Sequence, residues 1–195
     1  MPNWPDLYVL RHGQTVWNAE DRHQGQLDSP LTDTGRAQAA AQGAILCDAG
    51  LVDKGIDCFT SPLGRARATA DIALAGIGQT ATEDARLMEI RFGAWEGLTG
   101  TEICARWPGS EDLDPWDWHF AAPGGESLAA LTARVTGFLD SLTGPAVIVT
   151  HGITSRALRG VWLGLGSDGM AQIGGGQGVV YHLSDGQQTR LDPPG

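Results

Sequence analysis

The chain has 195 residues, a formal net charge of −10 and a single lysine, Lys54, beside twelve arginines. That length suits one domain with a sizeable core, and residues 1–195 read as a single domain carrying a loop-rich cap over about 90–123. The acidic balance, with no clustered basic stretch, argues against a nucleic-acid partner. Any anionic ligand must then be held by a few arginines and histidines gathered locally.

Cys47, Cys58 and Cys104 form no CxxC pair, and an odd number of thiols fits a reducing compartment better than a disulfide framework or a zinc site. The amino-terminal residues Met1 to Asp6 lack the basic and apolar stretches of a signal peptide, and no apolar run nears the roughly 20 residues that span a bilayer. The expectation is a cytoplasmic protein with no membrane partner.

Leu7 to Leu10 is an apolar run that reads as a buried strand and stops at Arg11-His12. Thr32 caps a helix running to about Asp48, where Gly50 supplies the stop. Ile56 to Thr60 is the next strand, a helix follows over Leu63 to Ala75, and Thr80 to Glu83 is a weaker strand candidate. The interval Ile90 to Pro123 breaks this rhythm with Trp95, Trp107, Trp116 and Trp118, and reads as a short helix from Thr99 to Arg106 plus a long loop. Loops of that length usually bind something or move.

After Ser127, the residues Leu128, Leu131, Val135, Phe138 and Leu142 recur three or four apart and give a helix one apolar face. A strand at Ala146 to Thr150, a helix at Thr154 to Leu163 and a strand at Val179 to Leu183 follow. Gly174 to Gly176 reads as a turn and Asp192 to Gly195 as a terminus. Strands separated by helices imply an α/β fold, a three-layer α/β/α sandwich with a largely parallel central sheet and one antiparallel edge strand.

In open α/β sheets, ligands bind beyond the carboxyl ends of the strands. Two strand ends here carry a histidine: Arg11-His12-Gly13-Gln14-Thr15 after the first strand, and His151-Gly152 after Ala146 to Thr150. The first of these, with Asn18 beyond it, resembles the RHG signature of the histidine phosphatase superfamily, the phosphoglycerate-mutase-like enzymes of branch 1. Four further segments fit the same family in the same order. They are Pro30 to Gly35, Ser61-Pro62-Leu63-Gly64-Arg65-Ala66, the acid motif from Leu87-Met88-Glu89-Ile90 to Trp95-Glu96-Gly97, and His151-Gly152.

Phosphoryl transfer needs an in-line nucleophile, positive donors on the equatorial oxygens and a proton for the leaving oxygen. His12 is the nucleophile, its imidazole kept neutral by the Arg11 guanidinium beside it. Arg65 follows a strand end and can clamp phosphate with its planar fork of donors, whereas Arg67 reads as a solvated surface residue. Asn18 and the backbone amides after His12 add neutral donors, with Thr15, Gln24 and Gly152 as further phosphate contacts. The resemblance, rather than spacing, assigns His151 to phosphate binding, where it acts best protonated, and Glu89 to general acid and then general base. Glu96 reads as structural. Trp95 and Trp162 read as packing, while Trp116, Trp118 and His119 are candidates to roof the pocket.

The resemblance implies a phosphomonoester hydrolase working through a phosphohistidine on a small phosphorylated metabolite, with no metal and no cofactor. The alternative is a 2,3-bisphosphoglycerate-dependent phosphoglycerate mutase, for which that bisphosphate would be the primer. The interval Gly100 to Pro123 is short for a lid and offers only Arg106 to a second anionic group, which favours hydrolysis. A binding module that has lost turnover is the third reading. The substrate and the oligomeric state are left open.

Overall fold

The computed structural model describes residues 4–194; Met1, Pro2, Asn3 and Gly195, at the ends of the terminal segments considered above, lie outside the described residues. Among the described residues six strands form one sheet in the order β3-β2-β4-β1-β5-β6: β1 Leu7–Arg11, β2 Asp57–Thr60, β3 Thr82–Glu83, β4 Ala146–Thr150, β5 Val180–Ser184 and β6 Gln187–Leu191. The pairs β1 with β4, β2 with β4 and β2 with β3 are parallel, whereas β5 is antiparallel to both β1 and β6. The expected antiparallel strand is therefore β5. It is not the edge, because β6 turns back beside it.

Among the described residues eight α-helices connect the strands: α1 Val16–Ala19, α2 Asp33–Asp48, α3 Gly64–Ala75, α4 Gly100–Arg106, α5 Pro115–Trp118, α6 Leu128–Leu139, α7 Gly152–Trp162 and α8 Ser167–Gln172. The alternation of side chains along each strand divides the core in two. Leu10, Val147 and Val149 pack with Ile45, Leu46, Ala70 and Leu74 of α2 and α3. Leu7, Val9, Ala146 and Ile148 pack with Leu131, Val135, Phe138 and Leu158 of α6 and α7. The result is the three-layer α/β/α arrangement.

Thr32 caps α2 by accepting from the Gly35 amide, and Gly50 lies just beyond the helix at φ +76. The apolar stripe of α6 is buried at Leu131, Val135 and Phe138, but the helix stops at Leu139, so Leu142 packs on the core from the following turn. The interval 90–123 holds more structure than a single helix and a loop. Thr99 and Glu102 close a capping box on α4, and α5 starts at Pro115 with Asp114 as its cap, a Pro at the first helical position being favourable. No helix among the described residues is long and apolar enough to cross a membrane. Cys47, Cys58 and Cys104 are all free thiols.

Candidate active site

Three neighbouring strands end within one residue of each other. Register pairs Arg11 with Thr150 and Thr60 with Val149, so His12 emerges from β1 beside His151 from β4, and Ser61 emerges from β2 one residue lower, beside Thr150. The His12 amide donates to Thr150 O at 2.9 Å and the Ser61 amide to Val149 O at 3.0 Å, which carries the parallel ladder one residue past the strands. The His12 and His151 rings consequently lie 5.1 Å apart between centroids, both almost wholly buried.

His12 Nδ1 sits 2.8 Å from Gly13 O. A carbonyl can only accept, so Nδ1 carries the hydrogen and Nε2 keeps its lone pair. Burial, reinforced by the Arg11 and Arg65 guanidiniums and opposed by the Gly13 contact, holds the His12 pKa well below its ordinary value. His151 Nε2 is 2.7 Å from Ser61 Oγ. That oxygen also accepts from the Leu63 amide; in the tautomer in which the hydroxyl donates to Nε2, the imidazole hydrogen stands on Nδ1. Burial first, then Arg65, His12 and Arg11, hold His151 neutral as well, so the protonated form expected from the sequence needs an anion beside it.

The cations are fixed by backbone. Arg65 is buried, donating to Leu27 O at 2.6 Å, Gly25 O at 2.7 Å and Asp28 Oδ1 at 3.1 Å. Arg11 lies against Gly152, where a Cβ would stand 3.3 Å from the guanidinium carbon. Around His12, three of the buried nitrogens that have no partner among the described residues come together: Arg11 Nε, Arg65 Nε and His151 Nδ1. Unpaired buried donors are costly, and donors from three separate chain segments that lack acceptors suit an oxyanion.

Glu89 is buried and meets the amino-terminal turn of α7. Its Oε1 accepts from the Ile90 and Thr154 amides and from Thr154 Oγ1, while Oε2 accepts only from the Ile153 amide. Oε2 is therefore the oxygen with capacity to carry or take a proton.

A pocket of about 350 Å³ opens above these groups and is lined by Arg11, His12, Asn18, Gln24, Arg65, Glu89 and Gly152, all expected from the sequence. His151 lies beneath the lining, against His12. Thr15 is buried and outside the lining. Its hydroxyl accepts from the Asn18 amide, and Asn18 Oδ1 accepts from the Thr15 amide, so Thr15 caps α1 and fixes Asn18. With Oδ1 also facing Gln177 Nε2 at 3.2 Å, the Asn18 amide nitrogen is left for the pocket.

Several expectations are corrected. The backbone amides after His12 are already used: Gly13 N donates to Thr69 Oγ1, Gln14 N to Gln38 Oε1 and Thr15 N to Asn18 Oδ1. Gly13 itself serves close packing, because a Cβ there would stand 2.2 Å from Gly35 O. Of the proposed roof, only His119 lines the pocket; Trp116 is buried in the core and Trp118 packs, tilted, against Trp95 at 4.6 Å between ring centroids. Arg106 is not in the lining either. Trp95 and Trp162 are core residues, Arg67 pairs with Glu83 on the surface, and Glu96 is structural, accepting from the Gln26 and Phe92 amides.

Sequence reasoning missed two residues. Ser61 stands in the Ser61 to Ala66 motif without an assigned role, and Arg156, which lines the pocket, lies inside a helix expected to begin at Thr154. The helix begins at Gly152, and four residues on, Arg156 shares its face.

The family model described as histidine phosphatase superfamily (branch 1) matches residues 7–190. The chain is 35% identical over 198 residues to a glucosyl-3-phosphoglycerate phosphatase of Mycolicibacterium vanbaalenii, covering 95% of this chain and 86% of that protein. It is 31% identical over 221 residues to a 2,3-bisphosphoglycerate-dependent phosphoglycerate mutase of Sphingopyxis alaskensis, covering 95% and 96%. Among solved structures, a mycobacterial glucosyl-3-phosphoglycerate phosphatase in complex with VO3 superimposes with a TM-score of 0.79 at 34% identity, covering 97% of this chain and 98% of that one.

Proposed function

The chain belongs to the histidine phosphatase superfamily, branch 1, and from that membership we propose that it hydrolyses small phosphomonoesters through a phosphohistidine at His12. The observation that carries this reading is the set of unpartnered buried donors around His12. In the first step His12 Nε2 bonds to phosphorus as the ester P–O bond breaks, and the leaving oxygen takes a proton from Glu89. In the second, water attacks phosphorus, Glu89 recovers a proton, the P–N bond breaks and free phosphate leaves.

Arg11, Arg65 and the His151 Nδ1 hydrogen stabilise charge on the transferring oxygens, with the Asn18 amide and Gln24 at the periphery. A phosphoryl dianion in the pocket favours the imidazolium form of His151. These side chains supply the positive charge, so we assign no metal and no cofactor, and saturating chelator should leave the rate unchanged. The free thiols and the acidic surface suit a cytoplasmic enzyme of small molecules, with neither nucleic acid nor membrane as partner.

A mutase uses the same residues and returns the phosphoryl group to substrate instead of water. Both matches run over more positions than the 195 residues of this chain, 221 for the mutase and 198 for the phosphatase, the mutase by the larger margin. The mutase thus carries segments with no counterpart here, which favours access of water to the intermediate. Phosphate release from a panel of monoesters, measured beside interconversion of 2- and 3-phosphoglycerate primed with 2,3-bisphosphoglycerate, tests this. Release should dominate, and faster interconversion would replace hydrolase by mutase.

A further inference from the structure

We propose that Arg156 forms a second anion subsite, so that the preferred substrate is a phosphomonoester that also bears a carboxylate. This rests on the hydrolase reading for the first anion but on separate observations for the second.

Four arginines line the pocket, and their surroundings differ. Arg22 is paired with Glu20 and Glu102, and Arg65 with Asp28. Arg11 belongs to the phosphoryl-binding floor with His12. Arg156 makes no ion pair among the described residues. Its Nη2 donates to the carbonyls of Met170 and Ala171, and its guanidinium carbon lies 4.3 Å from the Trp116 ring centroid. Stacking on an aromatic face and bonding to carbonyls fix the position of the cation but do not neutralise it. Its Nε is buried without a partner, and Nη1 has none among the described residues.

The location separates this cation from the floor. Trp116 also holds His119, whose Nδ1 is 3.2 Å from Trp116 O, so Arg156 and His119 form one wall beneath α5. His12 and His151 stand at the strand ends. In a chain of net charge −10, an uncompensated arginine facing a pocket of about 350 Å³ is matched by one negative charge on the ligand. A carboxylate supplies that, and its planar oxygens fit guanidinium donors. A second phosphoryl dianion would leave excess charge at the wall.

The test compares 3-phosphoglycerate with glycerol 3-phosphate, which replaces the carboxylate by a neutral CH2OH. Wild-type enzyme should favour the acid in kcat/KM by about 10- to 100-fold, the range of a charge-assisted hydrogen bond. Arg156→Gln should erase that preference mainly through KM while leaving glycerol 3-phosphate within about threefold, and Arg156→Lys should restore part of it. Turnover of glycerol 3-phosphate reports that the variant is folded.

Calorimetric binding of both esters to His12→Ala separates this proposal from the hydrolase reading. If wild-type enzyme turns over neither ester but His12→Ala still binds the acid more tightly, and Arg156→Gln in that background removes the difference, the subsite stands and the hydrolase reading fails. Equal losses for both esters, no wild-type preference in rate or binding, or a stronger preference for propane-1,3-diol bisphosphate would overturn the subsite.

Discussion

The floor and the wall of the pocket are built by different means. On the floor, His12, His151 and Ser61 are each the first residue beyond a strand, placed by the register of β1, β4 and β2, and Arg65 is clamped by backbone carbonyls. Each is nearly inaccessible to solvent, so their geometry is set by the sheet. The wall is made of Arg156 one turn into α7, with His119 and the aromatic side chains of the 90–123 interval. The contrast teaches a division of labour. A fixed floor suits a reaction whose transferred group is constant, whereas a wall of side chains set on short helices and loops is where the variable part of a substrate can be read.

The largest effect expected from breaking the floor is at His12. His12→Ala removes the nucleophile and should lower kcat by about 10⁴-fold or more, the scale seen when the nucleophile of a covalent mechanism is deleted. The wild type mixed with a phosphomonoester and quenched rapidly should carry acid-labile, alkali-stable phosphate, and the variant none. Retention of full activity by His12→Ala would remove the phosphohistidine scheme and with it the distinction of floor from wall.

The same division explains what could be read from the chain alone. Floor residues sit directly after apolar runs, so Arg11, His12 and His151 announce themselves by position, and Arg65 follows another such run closely. The parallel strands were legible from the same apolar runs, and α2 and α6 from the caps Thr32 and Ser127. Arg156 was not, because an arginine within a helix ordinarily faces water, and only the contact with Trp116, 40 residues away in the chain, turns it inward. The amides after His12 looked free because their acceptors on Thr69 and Gln38 are also distant. Strand β6 is polar at four of its five residues and contains no apolar run. Its signal was the turn Asp185-Gly186, whose positive φ values of 51 and 72 belong to the tight hairpin connection that Asp-Gly favours.

A smaller effect sharpens the view of how the floor is held. Ser61 touches His151 and no substrate atom is assigned to it, so it is a positioning residue. Ser61→Ala leaves His151 Nε2 without its partner and should lower kcat by about 10-fold, the equivalent of one hydrogen bond, with KM nearly unchanged. Ser61→Thr, which keeps the hydroxyl, should recover most of the rate. If KM rises instead while kcat holds, Ser61 contributes to binding rather than to orientation of the imidazole.

The smallest effect separates floor and wall by pH. Burial lowers the pKa of all four histidines around the pocket, but His12 and His151 are pushed well below the ordinary 6.5 while His23 and His119 are lowered less. Above 6.5 the imidazoles are neutral in both folded and unfolded chains, so they add no pH dependence there. As pH falls below 6.5 the unfolded chain gains protons that the folded floor refuses. Stability is then lost by up to about 1.4 kcal/mol per pH unit for each such histidine. Urea unfolding between about pH 5 and 7 should therefore show a slope that His12→Ala flattens more than His119→Ala does, because a less depressed group soon takes up its proton in the folded state too. Equal flattening by the two variants would place His12 and His119 in equivalent surroundings, and the floor would lose the electrostatic character that keeps its nucleophile unprotonated.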